Sequence, residues 1–222
     1  MIQHHIFSTL KSELDAAGVT LVAVSKTQSP EAILDLYHLG QRVFGENRVQ
    51  ELLQKQVLLP GDIQWHLIGH LQTNKVRQVI PSTSMIESVD SIRLLSILQK
   101  EASLVGQVED ILLQVKISRE ASKYGFDPVT LVEELTASRV TEMSALRFRG
   151  VMGMASFVDD KTQIRNEFRC LKKIFDLLKD QVFSVYQSFD QISMGMSGDF
   201  RIAIEEGSTM VRIGSLIFGA RN

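Results

Sequence analysis

The stretch LVAVSK, residues 21–26, is the first of a series of short apolar runs, each ending in polar or glycine residues. RVFGEN at 42–47, WHLIG at 65–69 and MIESVD at 85–90 follow it, with starts about 21 residues apart. That period fits one strand, one helix and two short loops. Four later runs, at 111–117, 148–154, 191–194 and 210–218, bring the number of predicted strands to eight.

Segments with helical periodicity lie between these runs. Residues 159–180 carry one apolar stripe, and Ser29-Pro30 is typical of a helix N-cap with proline at the first helical position. Apolar spacing over residues 6–17 predicts a helix before the first strand. Alternating strands and helices imply parallel pairing with helical crossovers. We therefore predict one domain over residues 1–222, a (β/α)8 TIM barrel with an N-terminal helix; a doubly wound open sheet is the alternative.

The composition excludes several classes of protein. The 222 residues include 24 Lys and Arg against 26 Asp and Glu, so the chain lacks the basic surplus that binds nucleic acid. The single cysteine, Cys170, rules out an intramolecular disulfide and a cysteine-rich zinc site. No apolar run reaches the roughly 18–20 residues that cross a bilayer, and no secretory signal pattern opens the chain. We expect a cytoplasmic protein with neither nucleic acid nor membrane as a partner.

A lysine stands at the end of the first predicted strand, and in parallel α/β folds function gathers at strand carboxyl ends. Val22, Val24 and Lys26 share one face, because side chains alternate along a strand. The plain interpretation of Lys26 is a surface residue at the strand's exit. The alternative is a partly desolvated amine, which supplies the neutral nucleophile needed for a Schiff base.

An arginine interrupts the last apolar run. Val211 and Ile213 share one face, so Arg212 is predicted to point into the barrel when that face packs against helices. A buried guanidinium is costly unless an anionic or hydrogen-bonding group meets it. Two interpretations follow: a salt bridge to an acid on a neighbouring strand, such as Glu46, or a contact with a ligand.

Small residues cluster near the last two predicted strands. Ser197-Gly198-Asp199 precedes a short helical segment at 200–206, and Gly214-Ser215 interrupts the final run. Backbone N–H groups at such turns suit a phosphate, although serine and glycine also cap helices and form turns. We interpret His66 as a core histidine. No second histidine or carboxylate stands at ligand spacing beside His70, so we predict no metal site.

Several motifs occur in a fixed order from about residue 21 onward. They read VSKT at 24–27, FGEN at 44–47, VQE at 49–51, WHLIG at 65–69, LQ at 71–72, NK at 74–75, SKYG at 122–125, SMGMS at 193–197, Asp199, AI at 203–204, GST at 207–209, VRIG at 211–214 and IFG at 217–219. This ordered set resembles the pyridoxal-phosphate homeostasis proteins. The resemblance implies a barrel similar to the N-terminal domain of alanine racemase, with pyridoxal 5′-phosphate as the cofactor.

The resemblance also implies the residues that hold this cofactor. They are Lys26 as the internal aldimine, Arg212 at the pyridine nitrogen, Ser197, Gly214 and Ser215 at the phosphate, and Asn47 at the ring. The cationic Arg212 would keep the pyridine nitrogen unprotonated, which makes the ring a weaker electron sink.

We expect a non-catalytic carrier or buffer of the cofactor, a monomer that acts in cofactor homeostasis with pyridoxal-phosphate-dependent apo-enzymes as recipients. The alternative is a pyridoxal-phosphate-dependent amino-acid racemase. Racemases of this barrel type carry a further C-terminal domain that supplies a catalytic tyrosine. We expect no such domain after Asn222, which leaves Tyr124 or Lys123 for that role.

Overall fold

The strands form a closed parallel barrel in the computed structural model, which describes residues 3–118 and 124–219. Neighbouring strands pair in chain order, and the last pairs back onto the first, with Val22 opposite Arg212. The strands are β1 (Thr20–Val24), β2 (Val43–Glu46), β3 (Gln64–Leu67), β4 (Met85–Val89), β5 (Glu109–Val115), β6 (Leu146–Gly153), β7 (Gln191–Ser193) and β8 (Met210–Ile213). The predicted (β/α)8 barrel is confirmed, and closure through β8 and β1 excludes the open sheet.

Helices connect the strands. They are α1 (His4–Ala16), α2 (Pro30–His38), α3 (Val49–Gln56), α4 (Val76–Val79), α5 (Ile92–Val105), α6 (Leu131–Ala137), α7 (Lys161–Gln181), α8 (Phe200–Glu205) and α9 (Ser215–Phe218). Short 3-10 turns lie at Thr73–Lys75, Ile80–Ser82 and Val140–Glu142. Within 3–118 and 124–219, none of these helices has both the length and the apolar character to cross a membrane.

Two predicted helices begin at capping side chains. Ser29 Oγ accepts a hydrogen bond from the backbone N–H of Ala32 (3.4 Å), and Pro30 is the first residue of α2. Asp160 Oδ1 accepts from the N–H groups of Thr162 (2.9 Å) and Gln163 (3.2 Å) at the start of α7. These bonds satisfy N–H groups that have no acceptor within the first helical turn.

The last apolar run differs from the single strand predicted over 210–218. β8 ends at Ile213, and the chain turns at Gly214 into α9. A side chain at position 214 would place its Cβ 3.0 Å from the backbone oxygen of Val24, so glycine allows the close approach of β8 to β1. A short apolar run fits either a strand or a helix, which is why the pattern misassigned its second half.

Alternation of side chains divides the core into two layers. The interior of the barrel is filled by an apolar cluster of Val22, Met85, Leu112, Met152 and Met210. Val211 and Ile213 belong instead to a cluster that includes residues of α1. The predicted faces of β8 are therefore confirmed, and Arg212 points into the barrel.

A bulge in β6 keeps both layers filled. Ile111 pairs with Phe148 but the next residue, Leu112, pairs with Gly150, so one extra residue enters β6. Gly150 has φ of 151°, and a Cβ there would lie 1.8 Å from the carbonyl oxygen of Gln191. This position therefore requires glycine. Beyond the bulge, β6 continues in a new register and brings the carbonyl of Gly153 to Arg212.

Candidate functional site

Lys26 lies at the mouth of the barrel, two residues beyond the end of β1. It is half-buried, in the turn that follows β1. The next residue, Thr27, has φ of 66°. This left-handed conformation is strained for a β-branched residue, and such strain is concentrated at functional sites. The turn that follows Lys26 is thus held in an unfavourable backbone shape by its surroundings.

A buried ionic network holds this turn from behind. Lys55 Nζ, on α3, donates to Glu46 Oε1, Glu51 Oε1 and the carbonyl of Ser25, each at 2.7 Å. Ser25 Oγ donates to Glu46 Oε1 (2.6 Å), and the backbone N–H of Thr27 donates to Glu51 Oε1 (2.5 Å). The residues on both sides of Lys26 are therefore fixed by α3.

Glu46 does not pair with Arg212; the acid within salt-bridge distance of Arg212 is Glu87, on β4, whose Oε2 lies 3.9 Å from Nη1. Glu46 alternates with Gly45, and a Cβ at Gly45 would meet Val22 and Ile68, which belong to the interior cluster or pack against it. The Glu46 side chain consequently points away from the interior and meets Lys55. Burial raises the pKa of Glu46, and the hydrogen bonds from Lys55 and Ser25 counter that effect only in part.

Arg212 is held inside the barrel at three points. Its Nη1 donates to the carbonyl (2.8 Å) and the hydroxyl (2.6 Å) of Ser193, and its Nη2 donates to the carbonyl of Gly153 (2.9 Å). Only 4% of the residue is exposed. Burial lowers the pKa of Arg212, against the opposing charges of Glu87 and Asp199. An arginine side chain is not deprotonated in proteins, so the guanidinium remains a cation.

A buried carboxylate that sequence reasoning missed completes this cluster. Glu87, on β4, accepts from Ser193 Oγ at Oε2 (2.6 Å) and meets His66 Nδ1 at Oε1 (2.7 Å). Burial alone would raise the pKa of Glu87, but the hydrogen bond from His66 and the charges of His66 and Arg212 hold it below its ordinary value. His66 is confirmed as a satisfied core histidine. Glu87 stands two residues after Met85, whose side chain faces the interior. Alternation along β4 could therefore have predicted an inward-facing carboxylate.

The predicted phosphate residues lie at the ends of β7 and β8. Ser197 is half-buried in the turn that precedes α8, and Gly214-Ser215 begins α9. Because Val22 pairs with Arg212, Gly214 stands opposite Val24, two residues before Lys26. Gly214 and Ser215 are therefore at the same rim of the barrel as Lys26.

Asn47 follows β2 at this rim. A Cβ on Gly69 would lie 2.3 Å from the backbone oxygen of Asn47, so the loop after β3 packs directly on it. The side chain of Asn47 is half-buried. Asn47 thus joins Lys26 and Gly214 among the residues at the strand carboxyl ends.

The neighbouring rim carries a histidine and a carboxylate that lie far apart in the sequence. His70 Nδ1 is 2.9 Å from Asp90 Oδ2, and the ring of His70 stacks on Tyr124 with centroids 4.0 Å apart. The sequence shows no carboxylate at ligand spacing from His70, but the fold places Asp90 beside it, because the ends of β3 and β4 are adjacent. Among the described residues, no three His, Cys, Asp or Glu side chains are grouped to bind a metal. Lys123 lies outside the described residues.

Known proteins are similar to this chain in sequence and in fold. The family described as "Alanine racemase, N-terminal domain" matches residues 3–222. A pyridoxal phosphate homeostasis protein of Aquifex aeolicus is 39% identical over 202 residues, covering 90% of this chain and 86% of that protein. The structure of PipY from Synechococcus elongatus PCC7942 with PLP bound is 35% identical with a TM-score of 0.88, covering 97% of this chain and 99% of PipY. The structure without PLP has the same identity and coverage and a TM-score of 0.90.

Proposed function

The chain belongs to the family of pyridoxal phosphate homeostasis proteins, and we propose that it is a non-catalytic carrier of pyridoxal 5′-phosphate. The observation that carries this proposal is the placement of Lys26 two residues beyond β1, at the mouth of the barrel whose interior holds Arg212 on the paired strand β8. In this proposal the chain acts as one cofactor-binding domain in the cytoplasm. It takes up the cofactor and releases it to apo-enzymes.

The chemistry of the residues present fits each part of the cofactor. When bound, the cofactor supplies a reactive aldehyde on an electron-withdrawing ring, and Lys26 offers the primary amine that forms a Schiff base with it. Arg212 offers a fixed cation to the ring nitrogen. Ser197 and the backbone at Gly214 and Ser215 offer donors to the phosphate, which gains charge-assisted hydrogen bonds there. Asn47 offers its amide to the ring.

Arg212 also favours a carrier over an enzyme. A guanidinium beside the ring nitrogen does not give up a proton, so that nitrogen stays unprotonated and withdraws electrons weakly. Proton abstraction from the Cα of a bound amino acid is correspondingly slow. The interior contacts of Arg212 with Ser193 and Gly153 fix the guanidinium in this role.

Amino-acid racemase is the second candidate function, and the His70–Asp90 pair is the observation that favours it. A carboxylate that holds one nitrogen of an imidazole leaves the other available for proton transfer. His70 stacks on Tyr124 at the rim, so both side chains are acid–base groups near the mouth. Racemisation requires such a group on each face of the substrate.

The binding proposal is tested by the absorption spectrum of the purified protein before and after addition of pyridoxal 5′-phosphate. We expect a yellow complex, and borohydride should fix the cofactor to the peptide that contains Lys26. Lys26→Ala should abolish the yellow species and leave the folded protein intact. Lys75→Ala is the matched control, because Lys75 is also half-buried near the mouth. Label on Lys75 or Lys123 would contradict the assignment.

The carrier and the racemase are separated by deuterium exchange at Cα of alanine and serine in heavy water. We expect no exchange above that of free cofactor, together with transfer of cofactor to an apo-enzyme. Rapid exchange that is lost in both Lys26→Ala and His70→Gln would make the racemase the better description. Because each 1.36 kcal/mol in the barrier changes the rate tenfold, even a partly competent active site is detectable in this assay.

A further inference from the structure

Inside the barrel, hydrogen bonds link four side chains into a charged chain: His66, Glu87, Ser193 and Arg212. Burying such a chain is unfavourable in free energy. These residues come from β3, β4, β7 and β8, and each is at most 4% exposed. Removing ions from water is unfavourable, and well-packed apolar residues of similar volume often give equal or higher stability. The apolar cluster in the same interior, which includes Met85 and Met152, is such a filling. Stability alone therefore does not account for the charged chain.

The two ions of the chain are joined through a hydroxyl group. Arg212 Nη1 and Glu87 Oε2 are 3.9 Å apart, whereas Ser193 Oγ lies 2.6 Å from each of those two atoms. Ser193 accepts from the guanidinium and donates to the carboxylate. The other carboxylate oxygen is occupied by His66. Movement of the carboxylate would therefore displace the hydroxyl that holds Arg212.

Three hydrogen bonds to Ser193 and Gly153 use three of the five N–H groups of the Arg212 side chain. Among the described contacts, the guanidinium is thus anchored through Nη1 and one N–H of Nη2, and the remaining N–H groups are the donors that a ring nitrogen can meet. The negative charge of Glu87 lies on the anchored side. Its field reduces the net positive charge that a ligand on the other side meets.

We propose that Glu87 is a positioning residue that, through Ser193 and with His66, fixes the Arg212 guanidinium and balances its charge beneath the cofactor ring. This inference rests on the proposed function, since it concerns the ring nitrogen of the same cofactor. Glu87 does not touch the cofactor in this arrangement. Its effect on binding passes through Arg212.

The test compares Glu87→Gln with Glu109→Gln in the full chain. Both substitutions replace a buried carboxyl group with an amide of nearly the same shape, but Glu109 contacts Thr83 at the other end of the barrel. We expect Glu87→Gln to weaken affinity for pyridoxal 5′-phosphate by about tenfold and to shift the absorption maximum of the complex, because one partner of a buried ion pair is lost. Glu109→Gln should bind the cofactor as the wild-type protein does.

A cofactor analogue with carbon in place of the ring nitrogen identifies the route of the effect. We expect wild-type protein and Glu87→Gln to bind this analogue equally, because Arg212 has no ring nitrogen to meet. An equal loss of affinity for both ligands would overturn the proposal and indicate general loosening of the barrel. If Glu87→Gln does not fold, Ser193→Ala makes the same comparison, with an expected loss of about threefold for the natural cofactor.

The outcomes separate the two proposals. Wild-type protein that fails to bind pyridoxal 5′-phosphate would contradict the proposed function itself. Wild-type binding with unchanged affinity and absorption in Glu87→Gln would leave the carrier standing and refute the positioning role. A loss confined to the natural cofactor supports both.

Discussion

Glu87 and Glu109 are buried carboxylates on adjacent strands of the barrel, and their surroundings give them opposite ionisation. Glu87 meets His66 and Ser193 with Arg212 nearby, and these groups hold its pKa below the ordinary value despite burial. Glu109 begins β5 at the opposite end, where burial raises its pKa to about 8. Within residues 3–118 and 124–219, the donor to Glu109 is the hydroxyl of Thr83 (2.9 Å).

Burial alone does not decide whether a carboxylate is charged in this fold. Burial pushes both pKa values upward, and only the groups that face each carboxylate differ. The interior near the mouth contains the fixed cation Arg212 and keeps the negative charge of Glu87 beside it. At the base, no cation of the described part of the chain counters the burial of Glu109, and Asp110 beside it pushes the pKa further upward. Charge is therefore retained at the end where a ligand is proposed to bind.

The largest effect is expected where the comparison is extended to a third buried carboxylate. Glu46 has a raised pKa like Glu109 but is contacted by an ammonium group, Lys55. Lys55→Met should lower the free energy of unfolding by about 3–5 kcal/mol at pH 7, because Glu46 and Glu51 lose their shared partner. Urea denaturation measures this loss.

The control is Lys11→Met, which breaks the exposed ion pair with Asp15 on α1. Exposed pairs of this kind contribute about 0.3–0.5 kcal/mol. A loss from Lys55→Met as small as that of the control would show that the buried network does not stabilise the turn at Lys26.

A smaller effect, with a characteristic pH dependence, is expected at the base of the barrel. The folded state holds a proton on Glu109 up to a pKa of about 8, whereas the unfolded state releases it near 4.5. The free energy of unfolding should therefore fall as pH rises through this interval and level off above it. Glu109→Gln removes that fall and should stabilise the protein by about 1–3 kcal/mol at pH 8, after the cost of an unpaired amide.

Thermal and urea unfolding at pH 4.5 and pH 8 measure this difference. At pH 4.5 the ionisation of Glu109 contributes little to the free energy of unfolding, so the measurement at this pH is the control for the one at pH 8. Parallel pH profiles for the wild-type protein and Glu109→Gln would contradict a raised pKa at Glu109.

The smallest effect is expected from a substitution at the mouth that alters no buried charge. Ser197→Ala should weaken binding of pyridoxal 5′-phosphate by roughly 0.5–1.5 kcal/mol, because one hydroxyl donor to the phosphate is removed. Pyridoxal without the phosphate should bind poorly to the wild-type protein and equally poorly to the variant. Isothermal titration with both aldehydes makes the comparison, and an equal loss for both would remove Ser197 from the proposed phosphate site.

Repetition along the chain made the fold predictable. Apolar runs at a regular period predict strands. The alternation in Val211-Arg212-Ile213 was sufficient to predict that Arg212 points into the barrel. The end of β8 was not predictable, because Ile217 and Phe218 are as suitable for a helix as for a strand. The bulge at Gly150 depends on contact with Gln191, which no local pattern contains.

Position at a strand end marked Lys26 and Gly214 as candidates for the site, and alternation along β8 marked Arg212. The partners of Arg212 were not predictable, since Glu87 and Ser193 are polar residues in two short strands, 106 positions apart in the sequence. Glu46 was assigned to the wrong side because its strand is short and its neighbour, Gly45, carries no side chain to mark the inward face.

The pairing of β1 with β8 has a consequence for synthesis of the protein. Lys26 leaves the ribosome long before Arg212 and Gly214, so a growing chain exposes the amine without the groups that complete the proposed site. The pairing of the first strand with the last is the most distant in sequence among the strand pairs of the barrel, and distant contacts form late because a long loop must close first. Uptake of a reactive aldehyde would then begin only when the barrel is finished, which makes ligand binding a reporter of completed folding.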